Sequence, residues 1–385
     1  MVEVEEIVPL AVACRRYLHQ HPELSTEEYG TQRYITGILE RYGIRYKTYE
    51  TGIIATLGKG ERCVALRADM DALKVREDTG LSYSSVNEGI MHACGHDMHM
   101  AMLLGAALIL KSKEEELQGT VKLVFQPSEE KRPGGARLLL PHLLEAPVPQ
   151  AIFGQHVFPG LPVGSVGIRE GVFFASSDNI HFTIKGKGTH AAMPQSGADP
   201  ILAAAVLIQF YQTIITKFRD PQIPAVLSIT SIHGGEANNV IPDRVEVKGT
   251  VRTHDERIRR KIFALIKEKS PAVCELYGCR FVPDMPWNGL PPLVNEPVLI
   301  ERVKAVATVL PRIGNVVEMS PLTLGEDFAI YLEHIPGAFW TLGVRAPELP
   351  EMPPLHSSKM APDERAIPVG IEMLVGCCLD FLNRE

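Results

Sequence analysis

Val121-Lys122-Leu123-Val124-Phe125-Gln126-Pro127-Ser128-Glu129-Glu130 is the stretch on which the fold turns. Its first five positions are mostly apolar β-formers without the alternation of a half-exposed strand, which fits a strand buried on both faces of a parallel sheet. The run then gives way to proline and two adjacent glutamates. Ile53 to Leu57 and Cys63 to Leu66 read as further strands, the second leading into Arg67-Ala68-Asp69-Met70-Asp71, and Ala151 to Phe153 is another, running out into Gln155-His156. Helical spacing lies around them. Val8 to Tyr42 predicts two helices broken at His21-Pro22-Glu23-Leu24, the second starting after Ser25-Thr26 with Glu27 and Glu28 in its first turn. Met98 to Glu116 predicts a third. Strands alternating with helices predict an α/β domain with a mostly parallel sheet, and such sheets place their sites just beyond the carboxyl ends of the strands. Three of these strand exits carry Asp, Glu-Glu and His.

The densest chemistry is Met91-His92-Ala93-Cys94-Gly95-His96-Asp97-Met98, with His99 behind it. A thiol and three imidazoles so close together are the donors that borderline-soft divalent metals prefer. The competing reading makes Cys94 a small core hydrophobe and the histidines surface or capping residues. Glu129-Glu130 is either a functional pair or a solvated acidic turn. Asp71, and with it Asp69 and Asp97, either orients an imidazole or caps a following helix. His19 and His21, ahead of every strand, are structural or on the substrate side.

From about Asp178 the texture changes. Strands at Asn179 to Ile184, Ala225 to Ile232, Arg244 to Val251 and Arg280 to Val282, with helices at Asp199 to Phe218 and Asp255 to Tyr277, follow the order βαββαβ of a ferredoxin-like α+β module. Pro283, Pro286, Pro291 and Pro292 suit an exit hinge. After it come a helix over Glu296 to Leu310, a strand near Ala338 to Gly343, Leu355-His356-Ser357-Ser358 and a final apolar helix from Ile367. The small module therefore reads as an insertion: residues 1–176 and 289–385 form one catalytic domain, and 177–288 a lid or dimerisation domain.

The 385 residues, 45% of them hydrophobic, suffice for two or three packed domains. The 39 basic and 46 acidic residues leave a formal charge of -7 with no basic stripe, which argues against a nucleic-acid partner. Met100 to Leu110 is too short an apolar run to span a bilayer, and the start Met1-Val2-Glu3-Val4-Glu5-Glu6 is acidic where a secretory signal is basic. A soluble cytoplasmic protein without a membrane partner is expected. Seven scattered cysteines without a CxxC pair read as reduced thiols.

Six blocks in order, Leu18-His19-Gln20-His21-Pro22-Glu23-Leu24-Ser25, Arg67-Ala68-Asp69-Met70-Asp71-Ala72-Leu73, His92-Ala93-Cys94-Gly95-His96-Asp97, Phe125-Gln126-Pro127-Ser128-Glu129-Glu130, Gly188-Thr189-His190-Ala191-Ala192-Met193-Pro194 and Leu355-His356-Ser357-Ser358, make the sequence resemble the co-catalytic metallo-amidohydrolases. That family includes aminoacylases, hippurate hydrolases and auxin-conjugate hydrolases, and the resemblance is to its cysteine-ligand branch. It implies a metallopeptidase-like catalytic domain with an inserted lid, in a homodimer or higher homo-oligomer. It implies that Cys94, His96, Glu130, His156 and His356 hold two divalent metals, with Cys94 bridging, and that Glu129 is the catalytic base, with Asp71 orienting a ligand. Zinc, manganese, nickel and cobalt all suit such donors. His190 would hydrogen-bond the substrate carbonyl, in its own or a partner subunit; Asn239 and Arg252 are candidates for gripping a substrate carboxylate. Lys74 stands where the branch usually has proline and Ser128 where alanine is commoner, both beside the ligands. The implied reaction is hydrolysis of an N-acyl amino acid. A dipeptidase or carboxypeptidase on the same scaffold, and a catalytically silent ligand-binding homologue, are the alternatives.

Overall fold

The computed structural model describes residues 3–284 and 289–383; Pro286 of the expected hinge and the expected boundary at 288 lie outside them. In chain order the elements are α1 (Val4–Gln20), α2 (Tyr29–Arg41), β1 (Arg45–Tyr49), β2 (Gly52–Gly58), β3 (Cys63–Asp69), α3 (His96–Ser112), β4 (Thr120–Gln126), α4 (Gly135–Leu143), β5 (Ala151–Pro162), β6 (Ser165–Ile168), β7 (Gly171–Phe174), β8 (Asp178–Lys185), β9 (Thr189–His190), α5 (Pro200–Lys217), β10 (Ala225–His233), β11 (Val240–Ile241), β12 (Arg244–Thr253), α6 (Glu256–Glu275), β13 (Arg280–Pro283), β14 (Leu293–Asn295), α7 (Pro297–Val309), β15 (Asn315–Glu318), α8 (Phe328–Leu332), β16 (Gly337–Arg345) and α9 (Ala366–Asn383). They fall into two compact units. The larger comprises the chain up to Gly171, Val294–Ser320 and the chain from Asp327; the smaller comprises Val172–Leu293 and Pro321–Glu326.

The larger unit is built on a sheet in the order β1-β2-β4-β3-β5-β16-β6-β15. Its centre, β4-β3-β5-β16, is parallel throughout. Every residue of β3 and β4 is buried, which is why both read as mostly apolar runs rather than alternating ones, Lys122 being accommodated by donating Nζ to Leu143 O and Glu145 O. Helix α3 is buried over nearly its whole length and packs with α1, α9 and the sheet. It starts at His96, with Gly95 at φ +85° as its N-cap, and stops at Ser112; the expected continuation through Glu116 is a separate short 3-10 turn over Glu114–Glu116. Gly95 suits its place because a Cβ there would lie 2.4 Å from Val157 Cγ2, so only glycine lets β5 and the motif approach this closely.

Besides short strands not foreseen from the sequence (β6, β7, β9, β11, β14 and β15), β1 and β5 depart from expectation for identifiable reasons. β1, Arg45-Tyr46-Lys47-Thr48-Tyr49, has no apolar run because it is an exposed edge, the place where charged side chains guard against further pairing. β5 extends to Pro162, so Gln155 and His156 lie inside the strand rather than beyond it. Polar residues fit there because each finds a partner: Gln155 Oε1 accepts from Trp340 Nε1 at 3.1 Å, and His156 Nδ1 donates to Val157 O at 2.7 Å. Pairing of β5 with β3 ends at Gly154, so His156 still stands beyond the last rung shared with that neighbour.

The smaller unit has the sheet order β10-β12-β8-β13, all antiparallel, which is the ferredoxin-like arrangement of a βαββαβ chain. Helices α5 and α6 supply its core through Ala203, Leu207, Tyr211, Ile262 and Ile266. Asp199 and Asp255 cap them, each carboxylate accepting two backbone N–H groups. Helices α5 and α9 have the length and mean hydropathy of membrane spans; most of α9 is buried in the larger unit's core, and the buried face of α5 in the smaller unit's.

Candidate metal centre

Three segments of the larger unit converge at the carboxyl edge of its parallel strands. The turn after β4 brings Glu129 and Glu130, the loop into α3 brings Cys94 and His96, and β5 brings His156. The loop before α9 adds His356, whose backbone N–H donates to Ala93 O at 2.8 Å and so fastens that loop to the motif. Ligand atoms of Cys94, Glu130 and His356 all lie within 4.8 Å of one another, as do those of His96, Glu129 and Glu130. Cys94 Sγ is 3.4 Å from His156 Nε2. The structure thus gathers residues separated by up to 262 positions in the chain, from Cys94 to His356.

Backbone carbonyls set the direction of two imidazoles. His96 Nδ1 lies 2.9 Å from Asp71 O and His156 Nδ1 2.7 Å from Val157 O. A carbonyl can only accept, so each Nδ1 carries the proton and each Nε2 presents its lone pair to the cluster. His96 Nε2 and Glu130 Oε1 are buried without a hydrogen-bond partner. Unpaired buried polar atoms are costly, and here they face one another, which is what a cation site requires.

The electrostatics agree. Burial and the neighbouring Glu130 carboxylate push the Cys94 thiol well above the usual cysteine range. Burial alone would disfavour an imidazolium at His96, yet Asp69 and Cys94 drive its pKa well up. A space that pushes up the pKa of both a thiol and an imidazole is short of positive charge. Divalent cations fit it, and thiolate, imidazole and carboxylate donors suit zinc and its neighbours.

His99 and Asp69 also lie near, with ligand atoms within 4.8 Å of His96 and His156. Their atoms are otherwise committed. Val157 N–H donates to His99 Nε2 at 2.9 Å, so Nδ1 holds the proton, 2.5 Å from Asp69 Oδ1, while Asp69 Oδ2 accepts from Arg67 Nη1 at 2.7 Å. These two orient the site from behind. Asp71 does likewise: Oδ2 accepts from Ser25 Oγ at 2.6 Å and from Glu130 N at 3.0 Å, and Oδ1 is 3.3 Å from His96 Nδ1. The helix-cap reading of Asp69, Asp71 and Asp97 gives way to these contacts, since Asp97 too is spent on Arg15 and His19.

Asp327, to which the sequence alone assigns no role, stands behind the paired glutamates. Its backbone N–H donates to Glu129 Oε1 at 3.3 Å, and its carboxylate accepts from Arg67 Nη2, Gln126 Nε2 and Ala136 N. Nothing in a lone Gly-Glu-Asp signals such a contact; its partners lie 191 to 260 residues away in the chain.

His19 is structural. It is buried between Asp97, 3.0 Å from Nδ1, and Glu77, 3.1 Å from Nε2. Burial opposes its charge, but Asp97 and then Glu77 raise its pKa. Burial likewise opposes charge on Glu77, but hydrogen bonds from His19, Ser85 N–H and Thr79 hold it at about 2. Glu77, depressed in the fold, stabilises above its ordinary value of 4.5 and loses that contribution as pH falls toward 2; His19, raised, contributes below 6.5 and loses it as pH rises through its folded value. The pair therefore contributes most between about pH 4.5 and 6.5. Glu77→Gln is expected to lower the urea midpoint in that window and by much less at about pH 2.5; an equal shift at both would contradict the assignment.

In the smaller unit, His190 and Asn239 are brought together. His190 pairs with Val240 across the β9–β11 ribbon, and Ala191 N–H donates to Asn239 O at 2.9 Å. Arg252 is not with them. That ribbon lies at the Arg244 end of β12, where Gly186 N–H donates to Asp243 O. Arg252 sits eight residues further along the strand, about 26 Å away at 3.3 Å per residue, and half-buried. Its Nη1 donates to Thr250 Oγ1 at 2.6 Å.

A nest of thiol, imidazole and carboxylate donors at the carboxyl edge of a parallel sheet defines a metal-dependent hydrolase. Residues 65–380 match the model of peptidase family M20/M25/M40, and the chain belongs to that family. It is 42% identical over 339 residues to the N-acetyl-L-cysteine deacetylase of Bacillus subtilis, covering 86% of this chain and 80% of that one. It is 35% identical to thermostable carboxypeptidase 1 of Saccharolobus solfataricus, covering 99% and 98% of the two chains. Among solved structures, a dinuclear metal-binding peptidase of family M20 from Bacillus subtilis superposes with a TM-score of 0.82 at 34% identity, covering 98% of this chain and 99% of that one. The chain is accordingly an amide hydrolase, as the six blocks imply.

Proposed function

We propose that the protein hydrolyses the amide bond of N-acyl amino acids to a carboxylate and a free amino acid, with Cys94, His96, Glu130, His156 and His356 holding two divalent cations. The observation that carries this is the cluster of convergent ligand atoms, with His96 Nε2 and Glu130 Oε1 buried without a hydrogen-bond partner and Glu129 beside them. Two cations in that space lower the pKa of a water from about 15.7 toward 7 and offset charge on the carbonyl oxygen. The side chains do the rest. Glu129, its Oε1 steadied by the Asp327 N–H, takes a proton from the attacking water and returns it to the amine nitrogen as the C–N bond breaks. Glu130 does not share that task, because its oxygens face Cys94, His96 and His356.

His190 serves the carbonyl oxygen as it gains charge, and Asn239 and Arg252 the substrate carboxylate. Because His190 and Asn239 stand at the opposite end of the small sheet from Arg252, one substrate meets all three when two copies of the chain contribute them. On this reading the protein works as a homodimer. The seven cysteines are all free and buried, which suits the reducing cytoplasm.

The likeness to a carboxypeptidase supports a second reading, a peptidase acting on free-carboxylate peptides. A panel of acetyl- and benzoyl-amino acids set against dipeptides separates the two. We expect kcat/KM for the preferred acyl amino acid to exceed that for any dipeptide by about tenfold or more, roughly 1.4 kcal/mol of transition-state discrimination; the reverse order would make the protein a peptidase.

A further inference from the structure

The paired glutamates follow a backbone that only glycine adopts freely: Ser128 has φ +53°. What holds it there comes from another part of the chain. Glu28, fully buried at the start of α2, places Oε1 2.8 Å from Ser128 N and 3.3 Å from Ser128 Oγ, while its Oε2 accepts from Thr51 Oγ1 at 2.7 Å. Thr51 is itself buried, in the turn between β1 and β2. Among the described residues no lysine, arginine or histidine forms an ion pair with Glu28, so its three acceptor bonds are its compensation for burial. On the far side of the turn, Ser128 O accepts from Gly135 N at 3.0 Å, and a Cβ on Gly135 would fall 1.7 Å from Pro127 O. The two residues after Ser128 are thereby aimed: Glu130 N–H at Asp71 Oδ2 and the Glu129 carboxylate at Asp327 N–H.

We propose that Glu28 is a positioning residue for the hydrolytic centre, a buried acceptor that clamps the left-handed backbone at Ser128 and so directs Glu129 and Glu130. This rests on the function proposed above for those two residues. Ser128 adds a hydroxyl to the clamp that alanine could not supply. The carboxylate acts through hydrogen-bond acceptance at Oε1, which glutamine retains and alanine removes.

The test compares Glu28→Ala and Glu28→Gln in the full-length protein by circular dichroism, zinc titration and turnover of an acyl amino acid. Glu28→Ala is expected to fold, to bind zinc about tenfold more weakly, and to lose about 30- to 100-fold in kcat with KM within about threefold, the scale of a misplacement near 1 Å. Glu28→Gln is expected to restore zinc affinity and kcat to within about threefold of the parent. A folded Glu28→Ala with unaltered zinc affinity and kcat, or a Glu28→Gln as impaired as the alanine variant, overturns the proposal. Should Glu28→Ala fail to fold, Thr51→Val, which removes only the tether at Oε2, carries the test: a severalfold fall in kcat supports the clamp and an unchanged kcat overturns it. If the parent turned over no acyl amino acid, the functional reading would fail while the zinc titrations still tested the clamp.

Discussion

Glu129→Gln is expected to lower kcat by about 10³-fold, within the 10²- to 10⁴-fold range for removal of a general acid–base group, while leaving metal content unchanged. The substitution keeps the size of the side chain and an oxygen able to accept from the Asp327 N–H. It removes the ability to take and return a proton. Glu130 cannot substitute, being turned toward Cys94 and His356. Steady-state kinetics with elemental analysis on the same preparation checks both parts. A kcat within tenfold of the parent would remove Glu129 from the mechanism, and a parallel loss of metal would make it a ligand instead.

Chelation is the second large effect. Stripping divalent cations is expected to abolish turnover and to lower the melting temperature, with both restored by zinc, manganese, nickel or cobalt. Without a cation, His96 Nε2 and Glu130 Oε1 are buried without a hydrogen-bond partner and Cys94 is a buried thiol beside a carboxylate. A cation that binds only the folded chain stabilises it by about 2.7 kcal/mol at a hundredfold excess over its Kd. The acid side of the metal dependence follows from the ligands, because thiol and imidazole must be unprotonated to bind. Protein shown metal-free by elemental analysis but still fully active would defeat the proposed mechanism.

Much of the architecture was legible because burial leaves marks in residue order. β3 and β4 are enclosed on both faces and read as mostly apolar runs without alternation; β8, β10, β12, β13, α5 and α6 announced a βαββαβ unit, and the sheet order bears it out. β1 escaped because an exposed edge strand needs no apolar pattern. The length of β5 escaped because Gln155 and His156 look like an exit until Trp340 and a neighbouring carbonyl are seen to satisfy them. Within the motif, spacing could nominate Cys94, His96 and His99 alike. It could not show that the Val157 N–H already occupies His99 Nε2 while His96 Nε2 has no hydrogen-bond partner.

Residue order along the chain was enough to identify the α/β class, the inserted βαββαβ module and the donor types that make a metal-dependent hydrolase, because helix and strand periodicity and side-chain chemistry are local properties. Packing alone could decide which nitrogen faces the cluster, that Asp327 and Arg67 stand behind Glu129, and that Glu28 reaches a hundred residues forward to hold Ser128. Hydrogen bonds between such distant segments leave no period in the chain; they exist only once the sheet has closed and water has been excluded from around them.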